Sequence, residues 1–343
     1  MTGVPSLNSS NRPLRFPVSR KRRLVWWLSG FVVSLSLIGL ILCLINPSIK
    51  APLRPGLDFT GGTQIQLERV CDPTCEPISS ELIFEVLQDL SLPTADNSLP
   101  PKLSQSKVQL LDNSRSLVIR MPFLSASQGQ TVISSIEPIA GPFRPGGQAV
   151  DTIGPSLGGQ LLKSSLISLL TAFIGIALYI SFRYDRSFAV LALVALAHDV
   201  LIVCGIFAWL GLLISLEVDS LFAVALLTIA GYSVNDTVVV FDRIRERTRL
   251  DSDLPLSDQI DRAVSATLTR TLYTSGTTLL PLIALIFFGG STLYWFAIAL
   301  ALGVVVGSWS SIALAPSLLS LRKEKAKNIL IEERITDISS LNS

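Results

Sequence analysis

Six apolar runs constrain this chain more than any motif in it: Leu24 to Ile45, Leu161 to Phe182, Phe188 to Leu210, Leu221 to Phe241, Leu272 to Phe288 and Leu293 to Leu314. The first holds 22 residues. As a helix it is about 33 Å long, enough to cross the hydrocarbon core of a bilayer. Composition agrees, with 49% hydrophobic and 16% charged residues against about 25% charged in soluble domains. The chain therefore reads as a polytopic helical membrane protein with a modest soluble part. A net charge of +2 and the lack of a basic domain with interleaved aromatics give no sign of a nucleic-acid partner.

Charge placement orients the spans. Arg20, Lys21, Arg22 and Arg23 precede the first run, which is longer than a signal-peptide core and has no small-residue cleavage site after it, so it reads as an uncleaved anchor. Arg183 and Arg186 lie in the 181–187 linker, whereas the connections near Glu217 and at 289–291 carry no basic residue. The positive-inside rule then places both termini, the 181–187 turn and the segment from Arg243 to Arg262 in the cytoplasm. The expected organisation is a basic N-terminus (1–23), membrane helix 1 (24–45), an extracytoplasmic domain (46–160), membrane helices 2 to 6 (161–319, with a cytoplasmic segment 242–268) and a cytoplasmic tail (320–343). Asp242, Arg243, Arg245, Glu246 and Arg247 read as a solvated cytoplasmic face that can touch anionic lipid.

Inside the extracytoplasmic segment the pattern changes from continuous to alternating. Gln64 to Val70, Lys107 to Leu111, Ser116 to Met121 and Gln148 to Ile153 read as strands, with a turn at Asp112, Asn113 and Ser114. A helix capped by Ser79 or Ser80 carries Leu82, Ile83, Val86, Leu87 and Leu90, and another opened by Ser125 or Ser127 carries Val132, Ile133 and Ile136. The order β-α-β-β-α-β is the ferredoxin-like arrangement, an α+β domain. Cys71 and Cys75 form CDPTC there. An outside location permits a disulfide between them, and an unpaired or locally constrained loop fits equally well. Cys43 and Cys204 lie in apolar spans and read as small hydrophobes.

Asp236, in the motif GYSVND, is the residue that asks for a function. A charge at the middle of a membrane helix costs roughly 3 kcal/mol on insertion scales. Thr228, Gly231, Tyr232, Asn235 and Asp236 fall on one helix face, and Arg270, Tyr273, Thr274, Thr277 and Thr278 repeat the same offsets on the following span. With Phe241 and Ala266 at the cytoplasmic edge, Asp236 lies about 7.5 Å deep and Arg270 about 6 Å deep, so the two can meet. A static hydrogen-bonded clasp explains such a pair as well as ion movement does. Magnitudes favour movement slightly. Protonating an ordinary aspartate at pH 7 costs roughly 4 kcal/mol, close to the cost of holding its charge in lipid. One proton falling through ~100 mV releases about 2.3 kcal/mol.

The motifs also carry a resemblance. Ala225 to Glu246 (ALLTIAGYSVNDTVVVFDRIRE) resembles the signature of the SecD/SecF family of bacterial protein-export membrane proteins, within the resistance-nodulation-division (RND) superfamily. GLDFTGGT (56–63), IGPSLGGQL (153–161), FAVLALVALAHDV (188–200), TLTRTLYTSGTTLL (267–280) and VVVGSWSSIALAPSLL (304–319) continue the agreement in order; Gln160 departs from it, standing where an acidic residue is expected. The resemblance implies an RND-type half in the bacterial inner membrane that pairs with SecD into a twelve-helix unit. That unit uses proton flow to help draw preproteins out of SecYEG after SecA has pushed them, with YajC as a further partner. It makes Asp236 the proton carrier and Arg270 its modulator, with Asn235 and Thr274 on the pathway and Asp58, Gly61, Gly62, Gly154 and Pro155 in structural motifs.

Other groups carry less. His198 and Asp199 could relay a proton, but adjacent residues do not share a helix face, and packing is the preferred reading; Tyr232 is a further weak candidate. Gly56, Gly61 and Gly62 lack the Lys-Ser/Thr tail of a phosphate loop and read as a backbone turn that anchors the outer domain to its membrane helix. Gly303 and Gly307 form a close-packing GxxxG. No cofactor or metal is expected from a chain with a single His. A small-molecule exporter would need a second half, and an aspartyl protease a second convincing acid.

Overall fold

The computed structural model describes residues 17–71, 75–93, 101–112 and 114–321. The expected basic segment up to residue 16, Asn113 of the expected turn and the tail from residue 322 lie outside the described residues. The chain divides into two units, Pro55–Ile167 and the flanking segments that end at Arg54 and resume at Ser168.

The Pro55–Ile167 unit holds a short helix α2 (Leu57–Thr60), strand β1 (Gly62–Arg69), helix α3 (Ser80–Asp89), strands β2 (Lys107–Leu111) and β3 (Ser116–Met121), helix α4 (Ala126–Ala140) and strand β4 (Phe143–Ile153). The sheet runs β2-β3-β1-β4 with every pairing antiparallel, the ferredoxin-like order. Ile65 faces Ile119 and Leu67 faces Leu117 across the central pair. Their alternation turns them inward onto Ile83 and Leu87 of α3 and Val132, Ile133 and Ile136 of α4. Capping starts both helices: Ser79 accepts from the Glu81 N–H, and Ser125 forms a reciprocal capping box with Gln128.

β4 begins at Phe143, five residues before the expected Gln148. Phe143 pairs with Arg69 across an irregularity between Leu67 and Arg69, so the strand bends through Pro145, Gly146 and Gly147 without ending. Cys71 and Cys75 are joined in a disulfide. Arg69 is buried and donates to the carbonyls of Ala140, Glu76 (2.9 Å) and Ser114 (2.8 Å). Burial pushes its guanidinium below the usual arginine range, with Glu76 opposing.

Six helices among the described residues are long and apolar enough to cross a membrane. They are α1 (Arg22–Ile45), α5 (Pro155–Arg183), α6 (Arg186–Leu213), α7 (Ser220–Leu250), α8 (Leu256–Phe288) and a last one built from α9 (Gly290–Trp309), a π-helical turn (Ser310–Leu314) and a helical end at Leu321. Pro155 opens α5 at the position where a missing N–H costs nothing. The π turn has a cause as well: Pro316 cannot donate to the ladder and crowds the carbonyl four residues back, so the helix widens just before it.

Small residues set the closest approaches in the flanking unit. A Cβ on Gly205 of α6 would overlap the Cα of Ser36 on α1, and one on Gly303 of α9 would overlap the side chain of Ile229 on α7. The segment 46–54 belongs with this unit. Arg54 accepts from the Val218 N–H through its carbonyl (2.9 Å), and its guanidinium reaches the Gly211 carbonyl (3.4 Å) and Glu217.

The Arg-rich segment 242–268 is mostly helix, made by the end of α7 and the start of α8 with a turn at 251–255 between them. Gln259 donates to the carbonyls of Asp251 and Leu254, and Asp251 pairs with Arg247 and Arg262. In the 181–187 linker Tyr184 packs against Phe188 and donates to the Val238 carbonyl. Burial, then the neighbouring Asp242, pushes its phenol upward.

Candidate intramembrane polar site

α7 brings its polar residues to two different surroundings. Thr228, Gly231 and Asn235 are exposed and Tyr232 is half-buried, while Asp236 is only 4% exposed. The expected stripe therefore exists, with Asp236 at its inner edge and turned into the bundle. Its Oδ2 is buried and has no hydrogen-bond partner, and neither has Oγ1 of the adjacent buried Thr237.

On α8, Arg270, Tyr273, Thr274 and Thr277 are exposed and Thr278 is half-buried. The threonine hydroxyls turn back on their own helix: Thr274 donates to the Thr271 carbonyl, Thr277 to that of Tyr273 and Thr278 to that of Thr274. Arg270 is an electrostatic neighbour of Asp236, but among the described residues the two form no ion pair within 4 Å. A buried carboxylate oxygen without a partner thus stands near the exposed polar residues Asn235, Arg270 and Thr274, on two membrane-length helices.

Behind this surface a second polar group closes on itself. Asp199 of α6 is fully buried, with Oδ2 accepting from the Ser233 hydroxyl of α7 and from the Ser310 hydroxyl of the π turn, each at 2.6 Å. Oδ1 lies 2.8 Å from Nδ1 of His198. Contrary to the expectation from helix faces, these two adjacent residues do meet. Their Cβ atoms diverge, but Nδ1 lies only two bonds beyond Cβ and the ring folds back onto the next carboxylate. Gly307 adjoins the cluster, and a Cβ there would stand at ordinary contact distance, 3.6 Å, from Asp199 Oδ2. Farther along, Tyr232 donates to the Ser275 hydroxyl, which meets that of Ser308.

Ser233 and Ser310 are not among the residues to which the sequence points. Serines inside apolar runs are a weak signal, and which of them converge depends on helix rotation that the sequence pattern does not specify. Asp199 and Asp236 share no hydrogen bond among the described residues.

The Gly61–Gly62 turn is filled. Both glycines have positive φ (68° and 129°), and added Cβ atoms would stand 2.8 Å from the Pro155 backbone and 2.7 Å from the Met121 carbonyl oxygen. Gly158 approaches Gly61 as closely, a Cβ there standing 2.7 Å from its nitrogen. The turn that includes Asp58 in α2 thus packs on the first turn of α5, with Gly154 and Pro155 at the contact, and leaves no phosphate cradle.

Comparison with known proteins gives this geometry a family setting. A family profile described as "Protein export membrane protein SecD/SecF, C-terminal" matches residues 144–325, and one described as "SecD/SecF GG Motif" matches residues 49–71. The protein translocase subunit SecF of Prochlorococcus marinus is 62% identical over 90% of this chain and 96% of its own length. The protein translocase subunit SecDF of Thermus thermophilus is 36% identical over 79% of this chain, which covers 35% of that longer protein. The crystal structure of SecDF from the same genus, described as a translocon-associated membrane protein, superposes with a TM-score of 0.74 at 31% identity. The match takes in 93% of this chain, which spans 40% of the SecDF chain.

Proposed function

The chain belongs to the SecD/SecF family of protein export membrane proteins, and from that membership we propose that it is one half of a proton-driven preprotein translocation unit. The missing half is SecD. The SecDF relatives are more than twice as long as the part this chain matches, which supports a separate partner for the rest. The observation that carries the reading is Asp236, buried with an unpartnered oxygen next to the exposed polar face of Asn235, Arg270 and Thr274. Lipid is a poor neighbour for that face, and a second helical half is a good one.

Asp236 binds the proton and Arg270 sets its charge state. With Arg270 close, the carboxylate is favoured; with Arg270 withdrawn, burial favours the neutral acid. Alternating between these arrangements while exposed to opposite sides would let the gradient drive the bundle. The unit Pro55–Ile167 then stands outside the cytoplasm, where emerging preprotein leaves SecYEG, and the termini stand inside, in keeping with the placement of Arg183, Arg186 and Arg243. SecYEG, SecA and YajC enter as partners on the strength of the family alone. Relatives named as protein translocase subunits favour this reading over a small-molecule exporter half.

Gradient-dependent translocation of a preprotein into vesicles, with Asp236→Asn and Arg270→Met variants that still assemble with SecD, tests it. Both variants are expected to lose the gradient-dependent component at least tenfold while keeping the ATP-driven component. Full gradient-dependent activity in both would leave the pair as a static clasp.

A further inference from the structure

We propose that His198 and Asp199 form a second proton-binding site in the same bundle, and that its protonation loosens a latch holding α7 and the π turn to α6. The proposal rests on the proton-coupled reading above. Its evidence is separate, because Asp236 and Arg270 take no part in the cluster.

The hydrogen bonds define two states. With Asp199 ionised, its oxygens can only accept, so Ser233, Ser310 and the Nδ1–H of His198 all donate to it. Two O–H···O contacts of 2.6 Å are in the range of hydrogen bonds to a charged acceptor, about twice as strong as neutral ones. This tautomer leaves His198 Nε2 as an acceptor, and that atom is buried with no partner on a side chain only 6% exposed. It is the open end of the cluster. A proton arriving at Nε2 allows the Nδ1 proton to pass to Asp199 Oδ1. The ring returns to a neutral tautomer, the acid is neutral, and one proton has been taken up.

Neutralisation changes the mechanics. Oδ2 is then the carbonyl oxygen of a neutral acid, a weaker acceptor for the two hydroxyls. Ser310 already shares its proton with the Gly307 carbonyl at 3.1 Å and has somewhere else to go. The released segment is the π turn, where the backbone ladder is already interrupted ahead of Pro316. Ser233 lies one turn before Asp236 on α7, so loosening at Ser233 reaches the first proton site through a single helix turn.

Few other titratable groups face the cluster from the elements packed around it. α1 has none between Arg23 and Cys43. α9 and the π turn carry one, Tyr294, about 24 Å along the helix from Ser310. On α7 the titratable neighbours of Ser233 are Asp236 and the half-buried Tyr232, whose hydroxyl is engaged with Ser275. On α8, which packs against α7 and the π turn, Arg270 and Tyr273 are exposed.

Infrared difference spectra of the full chain reconstituted with SecD, recorded across pH, test the latch through the carbonyl stretch of buried protonated acids. Wild type is expected to show two titrating bands from this chain, one lost in Asp236→Asn and the other in Asp199→Asn. Ser310→Ala keeps both acids and removes one donor to the anion, so the Asp199 band should titrate about one pH unit higher. It reports even where Asp199→Asn does not assemble. An Asp199→Asn spectrum identical to wild type, or an unshifted midpoint in Ser310→Ala, overturns the latch. A wild type that shows the Asp199 band without an Asp236 band would count against the earlier reading and leave this one standing.

Discussion

Arg69, at the end of β1, shares its charge among three main-chain carbonyls, those of Ala140, Glu76 and Ser114. Arg69→Ala leaves those acceptors without their donor and should cost about 3 kcal/mol. Thermal unfolding of the full chain in detergent checks this, and Arg69→Lys should recover only part, since an ammonium cannot reproduce the fork of the guanidinium. Nothing in the sequence pattern marks Arg69, because its partners are backbone groups brought together by the fold. Asp236 is the opposite case. A carboxylate in an apolar run stands out from the sequence alone, and Asp199 does so too, but its partners Ser233 and Ser310 come from other elements and are visible only in the fold.

At the scale of elements, continuous apolar runs reveal all six spans, alternation reveals the four strands of the sheet unit, and caps with helical spacing reveal α3 and α4 but not the short α2. Ends are harder to read. α7 continues to Leu250 because charged residues sustain a helix as well as apolar ones, and β4 starts early because its bend looks like a turn. Helix contacts are legible only where small residues repeat, as at Gly303 and Gly307. Gly205 is not, although it lets α6 approach α1 closely. Gly205→Ala should force these helices apart, at a cost of about 2 kcal/mol or more. Ser36→Gly should not rescue it, because the Cα of Ser36 itself stands in the way of the added methyl. Detergent-solubilised yield and melting temperature of the single and double variants provide the check.

At the scale of the whole molecule, the chain has the makings of half a machine: six membrane-length helices, one sheet unit, and a polar face on α7 and α8 that is left open. The central claim is that a proton moves through Asp236 as preprotein moves. The most direct measurement is preprotein-dependent proton flux into vesicles holding this chain with SecD and SecYEG, followed by a trapped pH-sensitive dye. Flux is expected in wild type, disappears in Asp236→Asn and partly returns in Asp236→Glu. Equal flux in wild type and Asp236→Asn would contradict that claim.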